Sequence, residues 1–237
     1  MVEGLKVERE GPALVVTFAS GEGNLFSKDM MDALVEAVRD AGHDEAMRFV
    51  RLRAEGDAFC LGRAKGGGNA EEIRAMAVRI STVFETLRTT PLTVLAEVNG
   101  PAAGFGVGMV GGSDIVVASN TATFAFPEIT HGFAPAVVLS WARYLLPPRL
   151  VYDMVSTGDP IDADRALSAG LLTEVAELGD LERRVDERIA ALEEVDAFAL
   201  REMKRFLVFT SAMHPATAAE ASVDALVYSG IRVIGRF

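Results

Sequence analysis

The chain has 237 residues, half of them hydrophobic, and a formal net charge of −11 at neutral pH. That length supports one large domain with a sizeable core, and the composition argues against disorder. The acidic balance disfavours a nucleic-acid or anionic-membrane binder, which needs a basic face, while an anionic small ligand can still be held by local cations and backbone N–H groups.

Residues 13–18, ALVVTF, are apolar and largely β-branched and predict a buried strand, paired with the preceding 5–7. Ser27 is a credible N-cap for a helix with Met30, Met31, Leu34 and Val38 on or near one face. A second apolar strand spans 49–52. A loop follows with Gly56, Gly62 and the run 66–68. Asn69 and Glu72 then form a capping pair before a long helix carrying Ile73, Ala77, Ile80, Phe84 and Leu87. Pro91 closes that helix, and 94–98 is the next strand. The glycine-rich run 100–112 leads to strands at 114–118 and 123–126. Pro135 opens a helix through Trp141 and Leu145. Residues 150–156 are helical and end at Gly158. Asp162 caps a short helix that Gly170 terminates. Val175 marks the last strand. Helical patterns then occupy 181–193, 197–209 and about 215–229. Strands alternate with helices early and the end is nearly all helix, an α/β layout with a helical C-terminal part.

Two loops after strands carry the chemistry. The first is Ala58-Phe59-Cys60-Leu61-Gly62-Arg63 and the second Asn99 to Gly106. Glycines let backbone approach a ligand closely. If the N–H groups of Arg63 and Phe105 converge, they form an oxyanion hole, with each donor worth about 3 kcal/mol. The competing reading is that these glycines serve turns and close packing. A formal GxGxxG at Gly106, Gly108 and Gly111 starts too far from its strand for a dinucleotide site. The strand after it ends at Asn120, not at an acidic residue that holds a ribose.

These residues resemble the crotonase, or enoyl-CoA hydratase/isomerase, superfamily. AFCLGR is similar to its first oxyanion loop, and VNGPAAGFGVGMVGGSDIVVAS to its second loop, central helix and next strand. TFAFPEITHGFAP resembles the segment bearing a catalytic acid, DADRALSAGLLTEV a later helix–turn–strand, and GNLFSKDMMDAL the first helix entry. The resemblance implies an α/β spiral of ββα units over 1–180, with a helical trimerisation region over 181–237. It implies a homotrimer or a dimer of trimers. The substrate it implies is an acyl- or enoyl-CoA thioester, with coenzyme A as part of the substrate and no separate cofactor. Arg63 and Phe105 become the oxyanion donors, Glu128 the catalytic acid/base, and the backbone around Ala58 and Leu61 the surface facing adenine. Gly62 and Gly104, in the two loops, join Ala58 and Leu61 as implied substrate-binding residues.

Three departures follow. The family's hydratases carry a second glutamate where Gly108 stands here. One glutamate suits a proton shuttle, so the resemblance leans toward Δ3,Δ2-enoyl-CoA isomerisation. The alternatives are a hydratase with an atypical second acid/base and a non-catalytic acyl-CoA binder. Ala64 replaces a usual acidic residue, and the ending IRVIGRF is shorter than is typical, which bears on cover for the coenzyme A phosphates.

Glu128 follows a proline in an apolar stretch, so desolvation is expected to raise its pKa toward neutral; a capping role is the other reading. His131 is either a second acid/base lining the substrate site or a histidine satisfied by backbone. Arg63 has a side chain that either binds a phosphate or is solvated. Trp141, Tyr144 and Tyr152 read as core or interface. Cys60 reads as a buried small residue. Being the only cysteine, it suits a reducing compartment. The opening residues lack a secretory apolar core, and no stretch of about 18 apolar residues occurs. A cytoplasmic location without membrane association is the expectation. Three scattered histidines make no metal site.

Overall fold

A computed structural model describes residues 2–64, 66 and 68–234. The middle glycine of the run 66–68 and the last three residues of IRVIGRF lie outside the described residues.

β1 (Leu5–Glu10) pairs antiparallel with β2 (Ala13–Phe18). β3 (Phe49–Ala54), β4 (Thr93–Val98), β6 (Ile115–Ser119) and β9 (Glu174–Ala176) continue the sheet in parallel, in the order β1-β2-β3-β4-β6-β9. A smaller sheet joins β5 (Ala102–Ala103), β7 (Thr123–Ala125) and β8 (Ile161–Asp162).

Strand side chains alternate between the two faces, and two cores result. Leu14, Val16, Phe18, Val50, Leu52, Val94, Ala96 and Val98 enter the large core with α1 (Lys28–His43), α2 (Ala70–Thr89) and α3 (Phe105–Gly111). Ala13, Val15, Phe49, Leu95 and Val117 face the other way, against Leu181 and Val185 of α7 (Leu181–Glu193). Every β2 residue is therefore buried, as expected of strands covered on both sides. Beyond the apolar part of the α7 face, Arg51 is buried and paired with Glu97 and Asp186. Arg48 donates to the carbonyls of Leu192, Glu193 and Val195, holding the end of α7.

Capping follows the sequence expectation. The Ser27 side chain accepts from the Met30 N–H, Asn69 accepts from Glu71 and Glu72, and the Asp162 carboxylate accepts from Arg165. Pro135 precedes α4 (Ala136–Leu145), and Gly158 and Gly170 terminate α5 (Pro148–Thr157) and α6 (Ala163–Ser168) at positive φ. α8 (Ala197–Thr210) and α9 (Pro215–Ile234) complete the chain. Lys204 fastens α8 to the core by donating to the carbonyls of Leu87 and Leu92 and to the Asp114 carboxylate.

Some expectations fail locally. Asp114 precedes β6 rather than opening it, because its carboxylate accepts from the Val94 N–H and Lys204. Phe126 lies beyond β7. Ile73 is exposed: the fully buried residues of α2 begin at Val83, and Met76 and Ile80 are only partly covered. Tyr144 and Tyr152 are exposed at 71% and 76%, so neither is core in this chain.

Candidate active site

The first loop is built on Asn24, a buried residue with φ 46°. Its Nδ2 donates to the carbonyls of Glu55 and Ala58, each at 2.8 Å, and its Oδ1 accepts from the Ser20 N–H. Leu61 donates its N–H to Gly23, 2.7 Å away, and keeps an exposed side chain. Gly62 has φ +123°, a backbone state natural to glycine. Phe26 and Arg63 form a parallel bridge through Phe26 N–H to Gly62 and Ala64 N–H to Phe26. In such a ladder the residue between the two bonds points its own N–H the other way. Arg63 therefore turns its N–H away from Phe26.

The second loop is zipped onto the first. Cys60 donates to the Pro101 carbonyl at 3.4 Å, and Ala103 to the Cys60 carbonyl at 2.8 Å. A Cβ on Gly62 would lie 3.8 Å from the Ala103 carbonyl oxygen, so Arg63 and Gly104 follow directly on neighbouring backbones. Gly104, at φ +50°, donates to Ala125 and starts α3. Phe105 is the first residue of that helix, where N–H groups have no intrahelical acceptor.

Glu128 sits in a 3-10 turn (Pro127–His131) that follows β7, anchored by fully buried Phe126. Gly132 ends the turn at φ +78°, and Phe133 donates to the Glu128 carbonyl. A Cβ on Gly104 would lie 2.6 Å from Glu128 Oε1, so the carboxyl rests against the bare Cα of the second loop. Its Oε2 is buried with no hydrogen-bond partner among the described residues. Burial raises the Glu128 pKa above the usual carboxylate range; its own backbone N–H and the charge of His131 act in the opposite direction.

The His131 ring is exposed, with Nδ1 3.2 Å from the Pro127 carbonyl and 3.1 Å from Thr130 Oγ1. It thus has a backbone partner while standing near Glu128. The Arg63 guanidinium reaches the Ala64 carbonyl at 3.4 Å. Burial pushes the Cys60 thiol pKa up to about 12, so it stays protonated and donates to the Gly62 carbonyl.

Phe84 and Asn24 are absent from the sequence-derived set. The Phe84 ring occupies the space beside Gly108: a Cβ there would lie 1.9 Å from Cζ. Phe84 stacks on Phe105 at 5.5 Å and meets Trp141 edge-on at 6.1 Å. The only hint of Asn24 in sequence is an asparagine, a type that tolerates positive φ, inside a glycine turn.

The family model for enoyl-CoA hydratase/isomerase matches residues 8–230. The chain belongs to the enoyl-CoA hydratase/isomerase family, as the ordered motifs imply. Human mitochondrial enoyl-CoA hydratase domain-containing protein 3 is 32% identical over 71% of this chain and 58% of the human protein. The chain spans 53% of the Xenopus laevis protein of the same name. The crystal structure of a Mycobacterium smegmatis enoyl-CoA hydratase superposes with a TM-score of 0.92 at 23% identity, covering 96% of this chain and 91% of that one. A Thermobifida fusca protein solved in complex with CoA gives 0.88 at 22% identity, covering 98% and 95%. These superpositions establish the crotonase-type α/β fold.

Proposed function

We propose that the protein acts on acyl-CoA thioesters, holding the thioester oxygen between the N–H groups of Arg63 and Phe105, and that it converts Δ3- to Δ2-enoyl-CoA with Glu128 as the proton carrier. One observation carries this reading: the Glu128 carboxyl lies against Gly104, at the start of α3, while Gly108 one turn on has no side chain to supply a second carboxylate. Family membership and the CoA-bound Thermobifida fusca relative support the substrate class.

Glu128 takes a proton from C2 of the 3-enoyl ester. The electron pair delocalises through the C3–C4 double bond and onto the thioester oxygen, where two backbone donors meet the developing charge. Return of the proton to C4 leaves the double bond between C2 and C3. No water enters. A raised pKa suits a group that must accept and then release this proton. Ala58, Leu61 and Gly62 border the first loop, where the coenzyme is expected to lie as part of the substrate, with no other cofactor. His131 keeps a lesser part, as a charge that favours ionised Glu128.

Exposed Leu207, Leu226 and Ile231 on α8 and α9 favour assembly of this region into a homotrimer, alone or as a dimer of trimers. Light scattering on the purified protein measures that mass.

The test of the reaction is to incubate the protein separately with a 3-enoyl-CoA and a 2-enoyl-CoA, and to resolve products by chromatography and mass. Conversion of the 3-enoyl ester to its conjugated isomer at unchanged mass is expected. Water addition to the 2-enoyl ester as the main reaction would overturn the assignment.

A further inference from the structure

Gly104, the cap of α3, and Gly108 and Gly111 within that helix each receive a different group. A Cβ would meet Glu128 Oε1 at 2.6 Å from Gly104, Phe84 Cζ at 1.9 Å from Gly108, and Trp141 Cζ3 at 2.3 Å from Gly111. Gly108 lies four residues, about one helical turn, beyond the cap at Gly104. The Phe84 ring is therefore held about one turn along α3 from the cap that receives the Glu128 carboxyl. It is held there: Phe84 is 7% exposed, stacks on Phe105 with an interplanar angle of 28°, and is backed edge-on by Trp141.

The space beside Gly108 is thus filled by an aromatic ring rather than left open. A bound water needs two to four polar partners. The rings of Phe84 and Phe105, which fill and flank the space beside Gly108, supply none.

We propose that Phe84 is a specificity-determining residue, a hydrophobic shield that denies water the position from which it would attack the enoyl double bond beside Glu128. The inference rests on the acyl-CoA reading of the Glu128 site. Hydration requires a water oxygen to bond C3 while that water gives up one proton and C2 gains one. With the ring in place, Glu128 faces the substrate alone, and the proton it removes returns to the same molecule. The shield thus separates two reactions that begin from closely related esters.

The experiment compares wild type with Phe84→Ala, Phe84→Leu and Phe84→Ala/Gly108→Glu. Each is incubated with a 2-enoyl-CoA in ¹⁸O-water, and labelled 3-hydroxyacyl-CoA is measured by mass. Near-ultraviolet circular dichroism and ester binding confirm that each variant is folded. Phe84→Leu keeps most of the side-chain volume should the alanine variant fail to fold. Wild type is expected at the non-enzymatic background. Phe84→Ala should exceed it at least tenfold, Phe84→Leu less, and the double variant most, because the new carboxylate gains both room and a water to activate. Such gains support the shield whether or not wild type isomerises the 3-enoyl ester, which is read separately. Folded, ester-binding variants that stay at background overturn it, as does a wild type that hydrates as fast as its variants.

Discussion

The Cα of Gly106 is pressed against the backbone carbonyl of Cys60, so that a Cβ on the glycine would lie 2.1 Å from the oxygen. The same carbonyl accepts the Ala103 N–H that joins the two loops. The contact therefore sets the spacing between the strands of backbone that carry Arg63 and Phe105. A backbone atom cannot rotate away, unlike the end of a flexible side chain. Gly106→Ala is expected to separate the loops and to lower kcat/KM by at least tenfold, a change of about 1.4 kcal/mol in transition-state binding. Overpacking should also cost about 1–3 kcal/mol of stability. Steady-state kinetics and urea unfolding read the two effects. Wild-type kinetics in a folded variant would remove the argument that loop spacing matters.

Glu128→Gln removes the proton carrier but keeps the shape of the side chain. Turnover should fall about 100-fold or more, with ester binding retained. The same variant reports on the carboxyl's burial. The folded pKa is raised, so folding opposes ionisation. Below the unfolded carboxylate pKa the group is protonated in both states and the penalty is absent. As pH rises through the folded pKa, the penalty becomes complete and stability is lost. Glutamine does not titrate. The melting temperature of Glu128→Gln relative to wild type should therefore rise from acid toward neutral pH. A difference independent of pH would contradict desolvation as the cause.

The sheet, the caps and the two loops were legible because their signals are local: β-branched runs, Ser27, Asn69 and Asp162 ahead of periodic segments, and glycines just after strands. Glu128 was legible through the family resemblance and its apolar neighbours. The meaning of the glycines at 106, 108 and 111 was not. Their spacing imitates a phosphate loop, but each is small for a different reason: the Cys60 carbonyl, the Phe84 ring and the Trp141 ring. Those partners lie 46, 24 and 30 positions away in the chain, and no local pattern names them. Ile73 shows the opposite limit. It continues the apolar period of α2, yet its side chain is exposed while the buried residues of that helix begin ten positions on, at Val83.

Asn24 ties the Ser20 N–H, just after β2, to the carbonyls of Glu55 and Ala58 at the entry to the first loop. Asn24→Ala leaves the carbonyls of Glu55 and Ala58 and the Ser20 N–H without this partner, and places alanine at φ 46°. The expected cost is about 2–4 kcal/mol, from lost hydrogen bonds and left-handed backbone together. Asn24→Gly removes the bonds without the backbone penalty and should be the milder of the two by about 1 kcal/mol. Chemical denaturation of both variants checks the order. Equal destabilisation would mean that the positive φ carries no cost here.

Lys204, which is buried, pairs at 2.6 Å with the carboxylate of Asp114, which is partly open to solvent, where α8 meets the ends of α2 and β4. Burial lowers the pKa of the lysine and raises that of the aspartate, and in each case the partner's charge opposes the shift. The pair is thus retained against desolvation by attraction and by hydrogen bonds: the ammonium also donates to Leu87 and Leu92, and the carboxylate accepts from Val94. Lys204→Met keeps the apolar stem while stranding the carboxylate and two carbonyls. Because Asp114 is partly solvated and keeps the Val94 N–H, the loss should be about 1–3 kcal/mol, set mainly by the two carbonyls left without a donor. Lys204→Met/Asp114→Asn removes the stranded charge and should recover part of that loss, so the two changes are not additive. Because the partners of Lys204 are Leu87, Leu92 and Asp114, none of them in the Glu128 site, kcat at a temperature where both variants remain folded should stay close to wild type. Urea unfolding supplies the energies, and recovery in the double variant separates a stranded charge from mere loss of packing: if the single and double variants are equally unstable, the lysine acts through its stem and its carbonyl bonds alone.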